Sequence, residues 1–266
     1  MGDMTDVRPG ARAREGGGNP VTPVPARTRD EARPPRLAPA LGAAGQLTLL
    51  LLLATATGLG PAGWAAGLAV TAGTWAVLTR ALDRTWPGAA PFGPANAVTL
   101  TRAALAGGVT ALVADACAGR APGGVLVALT AVALVLDAVD GRVARRTGTA
   151  TAFGARFDME ADAFLILVLS VCVALSLGGW VLAIGAMRYA FVAAARVLPW
   201  LNGALPPSTA RKAVAAAQGT ALLVAASGLL PRPAAYAVVA TALALLVWSF
   251  GRDVRWLWRT GAGRSA

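Results

Sequence analysis

The stretch Asp137-Ala138-Val139-Asp140-Gly141-Arg142-Val143-Ala144-Arg145 is followed, after a gap of eight residues, by Gly154 and then by Asp158-Met159-Glu160-Ala161-Asp162. It sets four aspartates beside or inside the most apolar runs of the chain. An ionised carboxylate within a membrane span costs roughly 2.5–3.5 kcal/mol, so four left alone would cost about 10–14 kcal/mol. A chain that keeps all four in one helix–loop–helix unit balances them against something strongly positive. Arginines such as Arg145, Arg146 and Arg156 lie close by in sequence, and divalent metal is the expected counter-charge.

The apolar runs around this stretch define the architecture. The 266 residues are 56% hydrophobic and 14% charged, with a mean hydropathy of +0.60, as in polytopic membrane proteins. Eight runs near the length needed to cross ~30 Å of hydrocarbon cover approximately 41–59, 63–81, 96–117, 123–140, 158–178, 180–200, 212–230 and 233–251. The expected fold is therefore all-α, a polytopic membrane helix bundle. Residues 1–38 are rich in Pro, Gly and Arg and read as a disordered tail. The first apolar run begins only near Leu41, so a secretory signal is not expected.

Charge placement gives the expected orientation. The 24 Lys plus Arg exceed the 13 Asp plus Glu, but they gather in the two tails and in the 82–95, 141–157 and 201–212 segments. The alternate loops carry only Arg120 and Arg232. Lys and Arg concentrate in cytoplasmic loops, so both termini are expected to be cytoplasmic, and the surplus does not point to nucleic acid. Trp180 and Trp200 should bracket one span at its two interfaces. Asp115, near the outer end of its span, reads as interfacial. Absence of histidine removes Ser-His-Asp chemistry and His-based zinc or haem sites. The cysteines, Cys117 and Cys172, read as small core residues.

On this topology the two aspartate pairs meet at the inner edge of the bilayer. Spacing i,i+3 puts Asp137 and Asp140 on one helix face, and i,i+4 does the same for Asp158 and Asp162. Oxygen-only ligands favour Mg²⁺ or Mn²⁺ over zinc. Four carboxylates could hold two ions, an arrangement suited to phosphoryl displacement. Gly141 lets a ligand approach the backbone, Ala144 keeps the next turn small, and Arg145 offers a bidentate phosphate donor. The plainer reading, aspartates paired with arginines at a solvated helix end, accounts for one residue better than for all four.

The string from Asp137 to Asp162 resembles, at every defined position, the signature of the CDP-alcohol phosphatidyltransferase family. The resemblance covers roughly residues 92–251. It implies a six-helix bundle with a polar cavity open to the cytoplasm, preceded here by two extra N-terminal transmembrane helices. The expected organisation is a tail at 1–38, the extra helices at 39–90, the core at 91–252 and a basic tail at 253–266. In such enzymes an acceptor hydroxyl attacks the phosphorus attached to the donor's alcohol and releases CMP. By resemblance, Asp137, Asp140 and Asp158 would ligate metal, while Asp162 would contact the second metal and act as general base. Asp140, Gly141, Ala144, Arg145 and Gly154 would border the CDP-alcohol.

Other positions resemble the family too. Asn96, Thr99 and Arg102 match its Asn-x-x-Thr-x-x-Arg pattern near the nucleotide, though Arg102 could instead snorkel to headgroups. A mid-span arginine faces a polar cavity or a carboxylate, and Arg188 and Arg196 lie about two turns apart on one helix face. With Ser208, Arg211, Lys212 and Gln218 they resemble the family's acceptor region. Tyr189, Arg211, Val214 and Ala215 depart from its pattern there. The expected partners are CDP-diacylglycerol or a similar CDP-alcohol, a phosphorylated polar alcohol such as glycerol 3-phosphate or inositol phosphate, membrane lipid and, in a homodimer, a second copy. The expected location is the bacterial inner membrane. Competing readings are an intramembrane prenyltransferase, whose Asp-rich motifs lie on well-separated helices, and a transporter, which would need broken, repeat-related helices.

Overall fold

A computed structural model describes residues 37–85, 94–121, 123–147 and 152–262. Among them are eight α-helices and no strand: α1 (Leu37–Thr57), α2 (Pro61–Thr85), α3 (Pro94–Cys117), α4 (Gly124–Thr147), α5 (Ala152–Leu177), α6 (Leu182–Val197), α7 (Thr209–Ala226) and α8 (Arg232–Ala262). They fall on the eight apolar runs. Six have stretches long and apolar enough to cross a membrane, on α1, α2, α3, α5, α6 and α8. Among the described residues α4 carries a shorter apolar stretch, Gly124–Asp137. Short turns at glycines make α1 and α2, α5 and α6, and α7 and α8 neighbours. α1 and α5 end at Gly58 and Gly178, whose φ of 66° and 103° are values that side-chain-bearing residues rarely adopt. Trp180 and Trp200 occupy 3₁₀ turns at the two ends of α6.

α3 is the hub, packing against α1, α2, α4 and α5. Buried residues make up 56% of its apolar window, against 17% in α1, α2 and α6. Small residues allow this, as in membrane helix pairs generally. A Cβ on Gly107 would lie 2.5 Å from Nε2 of Gln46 on α1, and one on Gly108 would meet Leu49 at 2.9 Å. Val109, Leu126, Leu169, Val173 and Leu222 are fully or almost fully buried and join α3, α4, α5 and α7 in one core. The two N-terminal helices therefore pack directly on the helix that carries Arg102.

Three helix ends differ most from expectation. α4 continues seven residues past 140, α5 starts six before 158, and α8 continues eleven past 251. Hydropathy falls at these points, but the Arg and Ala residues there sustain a helix well. Asp115 is engaged inside the chain. It is 6% exposed, and its Oδ2 and Oδ1 accept hydrogen bonds from the backbone N–H of Gly60 at 2.6 Å and Gly63 at 2.7 Å. A carboxylate from α3 thus satisfies the otherwise unpaired donors that begin α2. Cys172 is buried, whereas Cys117 is exposed at a helix end rather than in the core, and both are free thiols.

Candidate active site

Three helices build the site. α4 delivers Asp137, and α5 delivers Asp158 and Asp162 from one face, four residues apart. α3 supplies Arg102, one turn after the buried Thr99. The three carboxylates approach so that one oxygen from each lies within 4.8 Å of the others. Arg102 sits among them. Its Nη2 is 3.1 Å from Asp137 Oδ1, Nη1 pairs with Asp158, and Nη2 also pairs with Asp162.

Burial divides the cluster into a floor and an open side. Arg102 is 3% exposed, while the carboxylates of Asp137, Asp158 and Asp162 are 45%, 38% and 42% exposed. The snorkelling role for Arg102 is therefore set aside, since its charge points into the bundle. Among the described residues, three carboxylates face one guanidinium, an excess of two negative charges. Arg102 was expected near the nucleotide and not as the aspartates' counter-charge. The available signal was its isolation, as the lone cation in an apolar run that needs a partner.

The other expected residues separate into groups. Gly154 lies on α5 one turn before Asp158. The α4 backbone carries Asp140, Gly141, Ala144 and Arg145, and the α3 backbone carries Asn96, but their side chains lie outside the described residues. Arg188 on α6 pairs with Glu160 through Nη2, and its Nη1 is 3.0 Å from Met159 Sδ. Glu160 was not singled out from the sequence. Two residues make about 200° of helical turn, so it leaves the Asp158–Asp162 face and points toward α6. Arg196 and Lys212 are exposed and pair with no carboxylate among the described residues.

Ser208 and Arg211 are engaged in joining α7 to α8. The Ser208 hydroxyl caps α7 by accepting from Arg211 N–H at 3.3 Å and also accepts from Arg252 Nη2 at 3.1 Å. Arg211 Nη1 reaches Asp253 Oδ2 at 3.1 Å. Gln218 is buried and donates from Nε2 to Ala242 O at 2.8 Å, a further α7–α8 tie. The last apolar run ends at 251 and the expected basic tail starts at 253, so only the continued helix brings Arg252 and Asp253 here.

A family model described as CDP-alcohol phosphatidyltransferase matches residues 92–248, more than half of the chain. The protein belongs to the CDP-alcohol phosphatidyltransferase family. No curated protein matches the chain, and no solved structure does. CDP-alcohol phosphatidyltransferases are transferases of substituted phosphate groups and are metal-dependent, which sets aside the prenyltransferase and transporter readings. The match begins just before α3, so α1 and α2 precede the family region. The residues present suit the family's metal. Converging carboxylate oxygens, in a chain without histidine, form the hard-ligand set that Mg²⁺ and Mn²⁺ take.

Proposed function

We propose that the chain moves a phosphatidyl group from CDP-diacylglycerol to the hydroxyl of a phosphorylated polar alcohol, such as glycerol 3-phosphate or inositol phosphate, releasing CMP. The observation that carries this reading is the convergence of Asp137, Asp158 and Asp162, all motif positions, at an open cluster with surplus negative charge. Asp137, Asp140, Asp158 and Asp162 would hold two Mg²⁺ or Mn²⁺ ions. Bound there, the ions would neutralise charge on the donor's diphosphate and polarise its phosphorus–oxygen bonds.

The chain's own groups do the rest. Asp162, partly exposed on the open side, accepts the proton of the acceptor hydroxyl as its oxygen bonds to the phosphorus bearing the diacylglycerol. The bond from that phosphorus to the CMP oxygen breaks, and CMP leaves with the electron pair. Asn96, Thr99, Asp140, Gly141, Ala144, Arg145 and Gly154 border the donor. Arg196 and Lys212 offer cations to an acceptor phosphate, and Arg188 can join them by exchanging Glu160 for the phosphate. Ser208 and Arg211 contribute by fixing the start of α7 beside Lys212. The alternation of basic and neutral loops supports cytoplasmic termini and a site facing the cytoplasm.

The test is mass spectrometry of the products when purified protein receives CDP-diacylglycerol, Mn²⁺ or Mg²⁺ and a panel of acceptor alcohols. CMP together with a phosphatidylated, phosphate-bearing alcohol is expected. Absence of CMP with every acceptor overturns the reading, and a preferred acceptor without phosphate overturns the acceptor class.

A further inference from the structure

We infer that Arg102 is a resident counter-ion of the aspartate cluster and competes with divalent cations for the same carboxylates. This rests on the reading of the cluster as a metal centre. The guanidinium reaches Asp137 from α4 and both Asp158 and Asp162 from α5, so one side chain of α3 ties three helices together. A planar group with five donors can span carboxylates on different helices, which a lysine ammonium does poorly. It does so from beneath. Arg102 rises from the most buried helix, whereas the carboxylates open on the other side.

Arginine stays protonated in proteins, so Arg102 cannot relieve a conflict by losing its charge. A guanidinium held between the carboxylates repels a divalent cation on those same groups, more strongly in this partly dry setting than in water. Occupation by metal therefore requires Arg102 to loosen its hold on at least some of the three. The anion best placed to take up the freed guanidinium is the diphosphate of a donor arriving on the open side. Donor and cation should then favour each other's binding, because linkage between two ligands is reciprocal. In the metal-free protein the same residue keeps three aspartates from repelling one another.

Mn²⁺ titration of the full chain in detergent, followed by electron paramagnetic resonance without substrate, tests this. R102Q should bind Mn²⁺ more tightly than wild type, on the order of 10–100-fold, the worth of hydrogen bonds to charged groups. Its melting temperature without metal should fall. R102K should lie between the two and serves where R102Q fails to fold. Equal or weaker Mn²⁺ binding in the folded variants, as a purely structural arginine would give, overturns the inference while leaving the metal centre standing. No Mn²⁺ bound by wild type or by either variant overturns the metal centre and the inference together.

Discussion

α3 carries a charged site near each of its ends, and the two are built in opposite ways. Arg102 and Asp115 are thirteen residues apart, roughly 20 Å along a helix. At one end a buried cation lies under three half-exposed carboxylates, with negative charge in excess among the described residues. At the other a single buried carboxylate takes two backbone N–H groups, and Arg120 stands 3.7 Å away. Arg120 also donates to the carbonyl of Gly58, so the α1–α2 turn is held from two sides. The Asp115 site is satisfied within the chain and closed to ligands. The Arg102 site is open and, among the described residues, unbalanced. Charge closed on itself serves stability, and charge left over at an accessible surface is what a substrate or metal can use.

The sharpest way to break that contrast is to neutralise one carboxylate at each end. Asp162→Asn should lower kcat by about 10²–10⁴-fold, the usual loss with a general base. Melting temperature should hardly fall, because two aspartates remain on Arg102. CMP release and thermal melts read the two halves of this expectation, and near-normal kcat would remove Asp162 from the base role.

An effect on the acceptor comes next. Arg196→Gln or Lys212→Gln should raise KM for the acceptor by roughly 10–100-fold and leave KM for the CDP-alcohol nearly unchanged. Initial-rate kinetics with each substrate varied in turn separate the outcomes. Equal changes in both constants would place these cations elsewhere than at the acceptor.

Asp115→Asn should act in the other sense, costing about 1.5–3 kcal/mol of stability while activity per folded molecule persists. Gly63→Ala should cost about 1–3 kcal/mol, because its Cβ would lie 2.9 Å from both Ala111 O and Asp115 Oδ1. Denaturation in detergent, with CMP release on the surviving folded fraction, checks both. A loss of kcat without loss of stability would mean that the Asp115 end communicates with the chemistry. The smallest effect belongs to the α7–α8 tie. A double-mutant cycle on Arg211 and Asp253 should give a coupling of about 1 kcal/mol or less, as expected for a pair with one partly exposed member.

The helices were legible in the sequence because length and hydropathy are local properties, and each apolar run became a helix. Their ends were less so. Hydropathy marks where hydrocarbon stops, whereas α4, α5 and α8 continue through residues that favour helix in water. The carboxylate convergence could be read from spacing, since Asp158 and Asp162 share a face and the connection from α4 is short. Arg102 could not be placed, because its partners Asp158 and Asp162 lie 56 and 60 residues away. Asp115 escaped for a related reason. Its partners are backbone N–H groups 55 and 52 residues earlier, and no residue type announces them.

The central claim, that the open carboxylate cluster is a metal-dependent phosphotransfer centre, is tested most directly by CMP release from CDP-diacylglycerol and acceptor before and after metal removal. Protein stripped with EDTA should release no CMP, and Mn²⁺ or Mg²⁺ added back should restore turnover in wild type but far less in Asp137→Asn or Asp158→Asn, each of which removes a charged oxygen ligand. Full turnover by the stripped, metal-free protein would contradict the claim.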